Sequence, residues 1–324
     1  MPEPLVSVVI TCFNQRRLVA ESIDSVLGQT HQTLELIVVD DGSSDGTSTV
    51  VGNIRDKRLT YVWQENAGPS DATNRGLRMA RGEYVALLGG DDISLPHRVE
   101  QQLDQIERGY DIVFSLPRLI DDRSRELPYY RFPIFFRENF ESEAELLRTL
   151  FLEGNFLCGP SAMARRSFFE RHGIYRRGLI QLQDFDLWVR ACREGARMRR
   201  FEDPIVRYRV RDGEGNLSGP RNKNRTPFEL VSIYRDILEG TSHSLLREAF
   251  PHDMSARSSD DLLAREADIL FLYLNHPKQL VRSVGIERAV AWLDDEDRSR
   301  ELAGRGFGPA ELFQIMSETH FCEH

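Results

Sequence analysis

The sequence predicts an α/β fold in which a mostly parallel central sheet carries helices on both faces, with a helical region at the carboxyl terminus. Three early segments, 6–11, 34–40 and 84–88, are continuous apolar runs rich in β-branched residues, which is typical of parallel strands buried on both faces. Segments with helical apolar spacing lie between these runs. This alternation of strand and helix predicts βαβ units with right-handed connections.

The remaining elements of this part of the chain are predicted from local signals. Further strands are expected at 59–64, at 111–116, within 156–165 after Gly159 and Pro160, and at 205–210 after Pro204. Helices are expected over 18–28, over 72–81 with Gly82 at the C′ position, and over 183–193. Residues 117–140 mix proline, aromatic residues and arginine without a period, so we expect a long loop or hairpin that covers one side of a site.

Residues 226–324 differ from the preceding part in being predominantly helical. Apolar residues recur at helical spacing in four segments, 228–238, 262–274, 278–293 and 309–317. We therefore divide the chain into a sheet-containing domain, 1–225, and a helical extension, 226–324. The Gly-containing residues 212–218 lie between strand and extension and are expected to form a flexible lid.

Composition and charge exclude several classes of function. The chain has 324 residues, of which 40% are hydrophobic and 29% charged, so it can bury a substantial core. The formal net charge of -9 argues against a general nucleic-acid or anionic-membrane binder, because such proteins depend on clusters of lysine and arginine. Four scattered cysteines without CxxC pairing favour structural thiols in a reducing cytosol over a disulfide framework or a zinc site.

The sequence also predicts a cytoplasmic protein. Residues 1–4 lack a basic region, and the apolar run 5–10 is too short for the core of a signal peptide. No stretch approaches the roughly 20 apolar residues that a spanning helix needs. A peripheral position at the inner face of a membrane, beside a membrane-bound partner, is compatible with these features.

Carboxylates follow two of the predicted buried strands. Asp40 and Asp41 come at the end of segment 34–40, and Asp91 and Asp92 follow segment 84–88. In open α/β sheets ligands bind outside the carboxyl ends of the strands, so these side chains predict a ligand site at that edge. The alternative is structural, because carboxylates in such turns also cap the helices that follow, here near Ser44 and near Pro96.

Six motifs carry a resemblance to a known family. They are 8–14 (VVITCFN), 38–43 (VVDDGS), 66–68 (NAG), 74–76 (NRG), 82–84 (GEY) leading to Asp91–Asp92, and 183–188 (QDFDLW). In order and spacing they make residues 4–218 similar to the family 2 glycosyltransferases with the GT-A fold. The carboxyl-terminal helical region lies outside the resemblance, and we expect it to face the acceptor or to mediate homo-oligomerisation.

The resemblance implies an inverting glycosyltransferase. Such an enzyme transfers a sugar from a nucleotide diphosphate donor, here most simply a UDP-sugar, to a hydroxyl of a glycan, a lipid-linked sugar or a protein in cell-surface polysaccharide or glycoconjugate assembly. A divalent cation, Mn²⁺ or Mg²⁺, neutralises the diphosphate that leaves, and both ions prefer oxygen ligands. The resemblance places Asp91 on the metal, whereas Gly89 stands where many relatives have a first aspartate.

The resemblance also implies a nucleotide-binding set. Its members are Thr11, Phe13, Asn14, Asp41, Asn66, Gly68, Asn74, Gly90 and Asp92. Asp41 would accept the imide N–H of uracil, and Phe13 would stack on the base, an interaction of about 1–3 kcal/mol in single-stranded nucleic-acid sites. The alternative for Phe13 is core packing.

Two further positions take chemical roles from the resemblance. Asp184 matches the general base that removes the proton of the acceptor hydroxyl, with Gln183 in place of the frequent glutamate. The alternative is that Asp184 only favours the helix macrodipole, as its neighbour Asp186 would also do. Arg211 stands where relatives often have a histidine, and its planar fork suits phosphate oxygens.

Two other classes of function are weighed against the enzyme. Gly89 and Gln183 leave open a non-catalytic GT-A subunit that binds a nucleotide sugar or a glycan as a partner protein. A nucleotidyltransferase or a dinucleotide-binding Rossmann domain would need a Gly-rich loop after the first strand, and residues 12–15 contain no glycine.

Overall fold

The computed structural model describes residues 3–128, 136, 138–211 and 224–319. Within them eight strands form one sheet: β1 (Val6–Cys12), β2 (Leu34–Asp40), β3 (Leu59–Trp63), β4 (Tyr84–Gly89), β5 (Ile93–Ser94), β6 (Ile112–Ile120), β7 (Met163–Arg165) and β8 (Met198–Arg209). The α-helices before β8 are α1 (Val19–Leu27), α2 (Thr47–Gly52), α3 (Pro69–Met79), α4 (Arg98–Glu107), α5 (Glu143–Leu152), α6 (Arg166–His172) and α7 (Gln183–Arg193). The later α-helices are α8 (Thr226–Tyr234), α9 (His243–Ala249), α10 (Leu262–Leu274), α11 (Gln279–Leu293), α12 (Glu296–Gly304) and α13 (Pro309–Glu318).

The strand order confirms the predicted mostly parallel sheet. The order is β3-β2-β1-β4-β7-β6-β8-β5. β1 runs parallel to β2 and to β4, β2 is parallel to β3, and β6 is parallel to β8. The short strands β7 and β5 are antiparallel to their neighbours. β1 therefore lies between two parallel strands, with the carboxyl ends of all three at the same edge.

The core lies on both faces of this sheet, as the continuous apolar runs predict. Val8 and Ile10 of β1 pack in one cluster with side chains of α1 and α4. Val9 points to the opposite face, where α3 approaches so closely that a Cβ at Gly76 would lie 2.3 Å from a Val9 methyl group. Burial on both faces explains why every residue of β2 is buried, including Asp40 at its end.

Two helix and strand boundaries were predicted wrongly. The helix expected over 72–81 is α3, which begins at Pro69 and ends at Met79, so Gly82 is not its C′ residue. A Cβ at Gly82 would lie 2.6 Å from the backbone nitrogen of Ser7, and this close approach explains the glycine. The strand expected after Pro204 starts six residues before it, at Met198.

Two prolines that were predicted to lie outside strands lie inside them: one strand was expected to end before Pro117, and another was expected to begin after Pro204. β6 continues through Pro117 to Ile120, and β8 continues through Pro204. The pairing of β6 with β8 shifts register between Ser115 and Pro117, and both prolines lie beside this irregularity. Proline lacks a backbone N–H and is tolerated at such bulges. A hairpin follows β6, whereas 129–135, 137 and the expected lid at 212–218 lie outside the described residues.

The chain divides into two compact units. The first contains 1–141 and 155–223, and the second contains Ser142–Gly154 together with 224–324. The second unit is helical, with a core formed by α10 to α13 around Trp292, Leu302 and Phe307. It also includes α5, which the sequence analysis had assigned to the sheet-containing domain.

The described residues include three of the four cysteines and the longest helices of the chain. Cys12, Cys158 and Cys192 are buried cysteines in the thiol form, and Cys322 lies outside the described part of the chain. None of the helices over 3–128, 138–211 and 224–319 has both the length and the hydropathy required to cross a membrane.

Candidate functional site

The carboxyl ends of β1, β2 and β4 bring two of the predicted acidic positions to one edge of the sheet. The backbone N–H of Asp41 donates to the carbonyl oxygen of Cys12, and that of Gly90 donates to the carbonyl oxygen of Thr11, each at 2.9 Å. Neighbouring strands are about 4.8 Å apart, so the segments that follow β2 and β4 lie roughly 10 Å apart on either side of β1. This distance suits an extended ligand lying across the end of β1.

Asp41 organises the loop between β3 and α3. Its carboxylate accepts hydrogen bonds from the Gln64 side chain at 2.8 Å and from the backbone N–H groups of Ala67 and Gly68 at 2.9 Å each. A carboxylate offers about four lone-pair sites, so one acceptor position is left for a further donor. Asn66, in the same loop, is exposed to solvent.

The turn after β1 presents an aromatic ring to solvent. Phe13 is 48% exposed, so it does not pack in the core. Asn14 has a left-handed backbone with φ of 52°, and it holds the neighbouring turn: its N–H donates to the Ser43 hydroxyl at 2.8 Å, and its Oδ1 accepts the Ser44 N–H at 2.9 Å. The exposed Phe13 ring therefore belongs to a turn that hydrogen bonds hold in place, directly after Cys12, whose carbonyl oxygen accepts the Asp41 N–H.

Asp91 forms an ion pair with Arg211. The Arg211 Nε lies 3.1 Å from Oδ2 of Asp91, and both side chains are only 17% exposed. Burial raises the pKa of Asp91 above its usual range, although the charge of Arg211 opposes this shift. The preceding residue, Gly90, has no room for a side chain, because a Cβ there would lie 2.2 Å from the amide oxygen of Gln15.

Asp92 is buried and bound by Arg209. Its Oδ1 accepts the backbone N–H of Arg209 at 2.8 Å, and burial followed by the neighbouring charge of Asp91 raises its pKa well above the ordinary value. The Arg209 side chain donates to the Asp91 carbonyl at 2.7 Å, to the Asp121 carbonyl at 2.6 Å and to the Glu21 carboxylate at 2.8 Å. Asp92 and Arg209 thus connect residues 89–92, which we call the acidic turn, to β8, and neither side chain is exposed to a ligand.

A cavity of about 120 Å³ extends from this edge of the sheet to the start of α7. Thr11, Gly89, Gly159, Tyr175 and Asp184 are among its lining residues. A Cβ at Gly159 would lie 2.8 Å from Oδ2 of Asp184, so the glycine leaves the space that this carboxylate fills. Burial, and then the charge of Asp184, raises the pKa of Tyr175 well above its ordinary value, which keeps the phenol neutral.

The two aspartates at the start of α7 have different surroundings. Asp186 is buried and ion-paired with Arg176 at 3.2 Å and with Arg190 at 3.0 Å. Asp184 lies in the wall of the cavity and accepts the backbone N–H of Phe185 at 2.7 Å. Asp186 therefore holds the fold together, and Asp184 is the one of the pair that a ligand can reach.

Asn74 is buried and hydrogen-bonded to Tyr175 through both ends of its amide. Its Oδ1 accepts the backbone N–H of Tyr175 at 2.9 Å, and its Nδ2 donates to the carbonyl oxygen of the same residue at 2.8 Å. The side chain is 1% exposed. In this structure Asn74 positions Tyr175 in the cavity wall, and the nucleotide contact that the resemblance implies for Asn74 stays a prediction.

The acidic turn fits a divalent cation through one carboxylate. Over the described ranges, no group of three or more His, Cys, Asp or Glu side chains is arranged to hold a metal ion. Mg²⁺ is commonly bound by one or two carboxylates together with substrate phosphates and water. Asp91 would supply the carboxylate ligand from the protein, and the oxygen atoms of a diphosphate and of water would supply the remaining ligands.

Three positions in this region carry roles that sequence reasoning did not assign. Arg209 lies two residues before Arg211, yet it is buried and donates to the Asp91 carbonyl oxygen, while Arg211 pairs with the Asp91 carboxylate. Gly159 and Tyr175 belong to irregular segments without a period. The Gly-Pro pair at 159–160 signalled a turn, but nothing local linked that turn to Asp184.

Comparisons with known proteins were made at the level of sequence. The family model described as glycosyl transferase family 2 matches residues 7–173. An uncharacterized glycosyltransferase of Rickettsia typhi is 32% identical over 215 residues, which are 65% of this chain and 65% of that protein. An uncharacterized glycosyltransferase of Methanocaldococcus jannaschii is 29% identical over 225 residues, or 67% of this chain and 75% of that protein. The chain thus spans just under two thirds of the length of the Rickettsia relative.

Solved structures share the fold. Crystal structures of S. aureus TarS 1–349 include a complex with UDP-GlcNAc, which matches at a TM-score of 0.60 and 19% identity over 86% of this chain and 83% of that one. The mannosyltransferase PcManGT from Pyrobaculum calidifontis, in complex with GDP-Man and Mn²⁺, matches at 0.57 and 18% identity over 99% of this chain and 88% of that one.

Proposed function

Because this chain belongs to glycosyltransferase family 2 and has the GT-A fold, we propose that it transfers a sugar from a nucleotide diphosphate donor to a hydroxyl group of an acceptor. The proposed donor is a UDP-sugar, and the reaction inverts the anomeric carbon. The acceptor is a glycan, a lipid-linked sugar or a protein, in the assembly of cell-surface polysaccharide or glycoconjugate. The proposed location is cytoplasmic, including the inner face of a membrane.

The placement of Asp184 is the observation that carries this proposal. Its carboxylate lines the same cavity as Thr11 and Gly89, which lie near the carboxyl ends of β1 and β4. Asp186, in contrast, forms ion pairs with two arginines. Asp184 takes the proton of the acceptor hydroxyl as that oxygen bonds to the anomeric carbon. The bond to the diphosphate breaks on the opposite side of the sugar, so a single displacement inverts its configuration.

The donor nucleotide is assigned to the other end of the same edge. Asp41 has one acceptor position left for an N–H group of the base, and the half-exposed Phe13 ring offers a stacking surface. The solved relatives named above hold UDP-GlcNAc and GDP-Man, both nucleotide diphosphate sugars. Asn66, Gly68 and the turn at Asn14 shape the walls between these groups.

A divalent cation is part of the proposal, and the complex of PcManGT with Mn²⁺ supports it. When bound, Mn²⁺ or Mg²⁺ stabilises the negative charge that develops on the diphosphate. Asp91 is the residue of this chain that would hold the ion, and Arg211 would bind phosphate oxygens. For the helical region after residue 226 we propose acceptor binding or homo-oligomerisation.

The proposal is tested by binding and turnover in the full chain. A panel of nucleotide sugars, with and without Mn²⁺, is screened for thermal stabilisation, since a ligand of the native state raises the melting temperature. Slow donor hydrolysis or transfer is then measured with the best donor. We expect Asp184→Asn to retain donor binding and to lose at least a hundredfold in turnover, consistent with the usual contribution of a general base.

Matched controls separate the outcomes. Asp104→Asn alters an exposed carboxylate on α4 that pairs with Arg108 and should leave turnover unchanged. Donor binding without turnover by the unaltered chain would instead support the non-catalytic subunit. The absence of binding to every nucleotide sugar in the panel would contradict both.

A further inference from the structure

We infer that Arg211 and a divalent cation compete for Asp91, so that Arg211 keeps this carboxylate paired until a diphosphate is present for the guanidinium to bind. The inference rests on the proposed function, because it concerns the same donor site. It adds an order to the binding: the protein alone has little affinity for the cation, whereas the protein with donor has much more.

The ion pair itself is the first observation. Arg211 lies 3.1 Å from the carboxylate that the cation would need, and neither side chain is more than 17% exposed. A buried pair is weakly screened by salt, so the guanidinium is a persistent competitor at this position. Arg211 has to leave Asp91 before that oxygen can accept a metal ion.

A second guanidinium, that of Arg209, contacts the backbone of Asp91. Arg209 is buried and donates to the backbone carbonyl of Asp91 at 2.7 Å. Its own contacts to Glu21 and Asp121 hold it there. The Glu21 carboxylate already offsets the charge of Arg209, so Arg211 is the guanidinium that competes directly with a cation for the Asp91 carboxylate.

The glycine at position 89 supplies no second carboxylate beside Asp91. A Cβ at Gly89 would lie 2.6 Å from Oδ2 of Asp92 and 3.0 Å from Oδ1 of Asp91, so a side chain at position 89 displaces the existing carboxylates. The Asp92 carboxylate is bound to the Arg209 backbone and is 2% exposed. Asp91 is therefore the carboxylate of this turn that pairs with Arg211, whereas the Arg209 guanidinium pairs with Glu21.

A diphosphate changes the balance. Its oxygens attract the planar guanidinium of Arg211, which binds phosphate through paired hydrogen bonds. Release of Asp91 and the arrival of phosphate oxygens create the oxygen ligands that Mn²⁺ or Mg²⁺ requires. Donor and cation should consequently bind with positive cooperativity, and Arg211 is the residue that couples them.

The test measures Mn²⁺ alone, by the electron paramagnetic resonance signal of the free ion, in the full chain without donor. We expect the unaltered chain to bind Mn²⁺ only weakly and Arg211→Ala to bind it at least tenfold more tightly. In the double variant Arg211→Ala with Asp91→Asn the gain should disappear, which locates the ion on Asp91. Arg108→Ala, which breaks an exposed arginine–carboxylate pair on α4, is the matched control and should change nothing.

Donor binding gives the second measurement. With metal removed by chelation, UDP should stabilise the unaltered chain against heat and should stabilise Arg211→Ala less. Arg211→Gln is the alternative variant if circular dichroism shows that Arg211→Ala is unfolded. Equal Mn²⁺ affinity of folded Arg211→Ala or Arg211→Gln and the unaltered chain would overturn the inference, as would tight Mn²⁺ binding by the unaltered chain alone. These readouts need no turnover, so they fail independently of the proposed function.

Discussion

Gly159→Ala should impair the proposed catalytic aspartate while leaving the donor site intact. The added Cβ would lie 2.8 Å from Oδ2 of Asp184, a distance that side-chain carbon atoms do not tolerate. The Gly159–Ser161 turn is a short 3₁₀ helix whose Ser161 hydroxyl donates to the Cys158 carbonyl at 2.8 Å, so the backbone is held in place. The carboxylate is therefore the part that moves.

The magnitude follows from the size of that movement. Reaching ordinary van der Waals contact requires a shift of roughly half an ångström or more. A misplacement of about 1 Å costs about a hundredfold in rate, so we expect the kcat to fall about tenfold to a hundredfold. Overpacking of this kind costs about 1–3 kcal/mol of folding free energy.

The assay is steady-state transfer with the best donor of the panel. The kcat should fall while the apparent donor affinity, measured by thermal stabilisation, stays within about twofold of the unaltered value, because Asp41 and Phe13 are untouched. Gly178→Ala is the matched control, since nothing lies within 4 Å of a Cβ at that position. A Gly159→Ala protein with unchanged kcat would refute the assignment of Asp184 to the reacting position.

Two further predictions concern stability. Arg209→Ala removes a buried guanidinium and its hydrogen bonds to the Asp91 and Asp121 carbonyl oxygens, so urea unfolding should show a loss of about 1–3 kcal/mol. A loss below about 0.5 kcal/mol would contradict a role for Arg209 in holding residues 89–92. In the helical unit, burial lowers the pKa of His276, which accepts the Lys278 N–H through Nδ1 and contacts the Phe151 carbonyl through Nε2. Because His276 in the unfolded state takes up a proton at a higher pH, the free energy of unfolding should be constant above about pH 6.5 and should decrease as the pH falls below that value. His276→Gln should reduce this decrease. The same slope in both proteins between about pH 7.5 and 5.5 would contradict the role of His276.

The sequence was sufficient to predict the part of the sheet formed by β1, β2 and β4. These strands are buried on both faces, so apolar residues dominate both faces of each strand, with Ser7 and Glu35 as polar exceptions. The position of Asp41 and Asp91 at one edge followed from the parallel arrangement alone. Those predictions needed no knowledge of which side chains meet.

Other elements were missed because their buried faces are polar or their breakers are tolerated. α4 buries Arg98, which donates to the carbonyl oxygens of Leu87 at 2.8 Å and Ala162 at 3.2 Å, so its apolar period is incomplete. Pro117 and Pro204 lie inside strands because the bulge between β6 and β8 removes the need for their missing N–H groups.

The roles of charged neighbours could not be read from spacing. Arg209 ends β8 and Arg211 follows it by two residues, and Asp184 and Asp186 lie two apart on α7, so each pair looks equivalent in sequence. Tertiary contacts distinguish them, because Arg209 and Asp186 are themselves buried, whereas Asp184 lines the cavity and Arg211 pairs with Asp91.

The insertion of α5 into the helical unit decides how this protein can be shortened. The chain leaves the sheet-containing unit at residue 141 and returns at 155, and α5 packs with α9, with the Tyr234 hydroxyl donating to the Phe151 carbonyl at 3.0 Å. An expression fragment that stops before residue 224 would retain α5 and expose its apolar side, including Leu146 and Leu150, to water. A soluble minimal fragment therefore needs a short linker in place of Ser142–Gly154 as well as the carboxyl-terminal truncation.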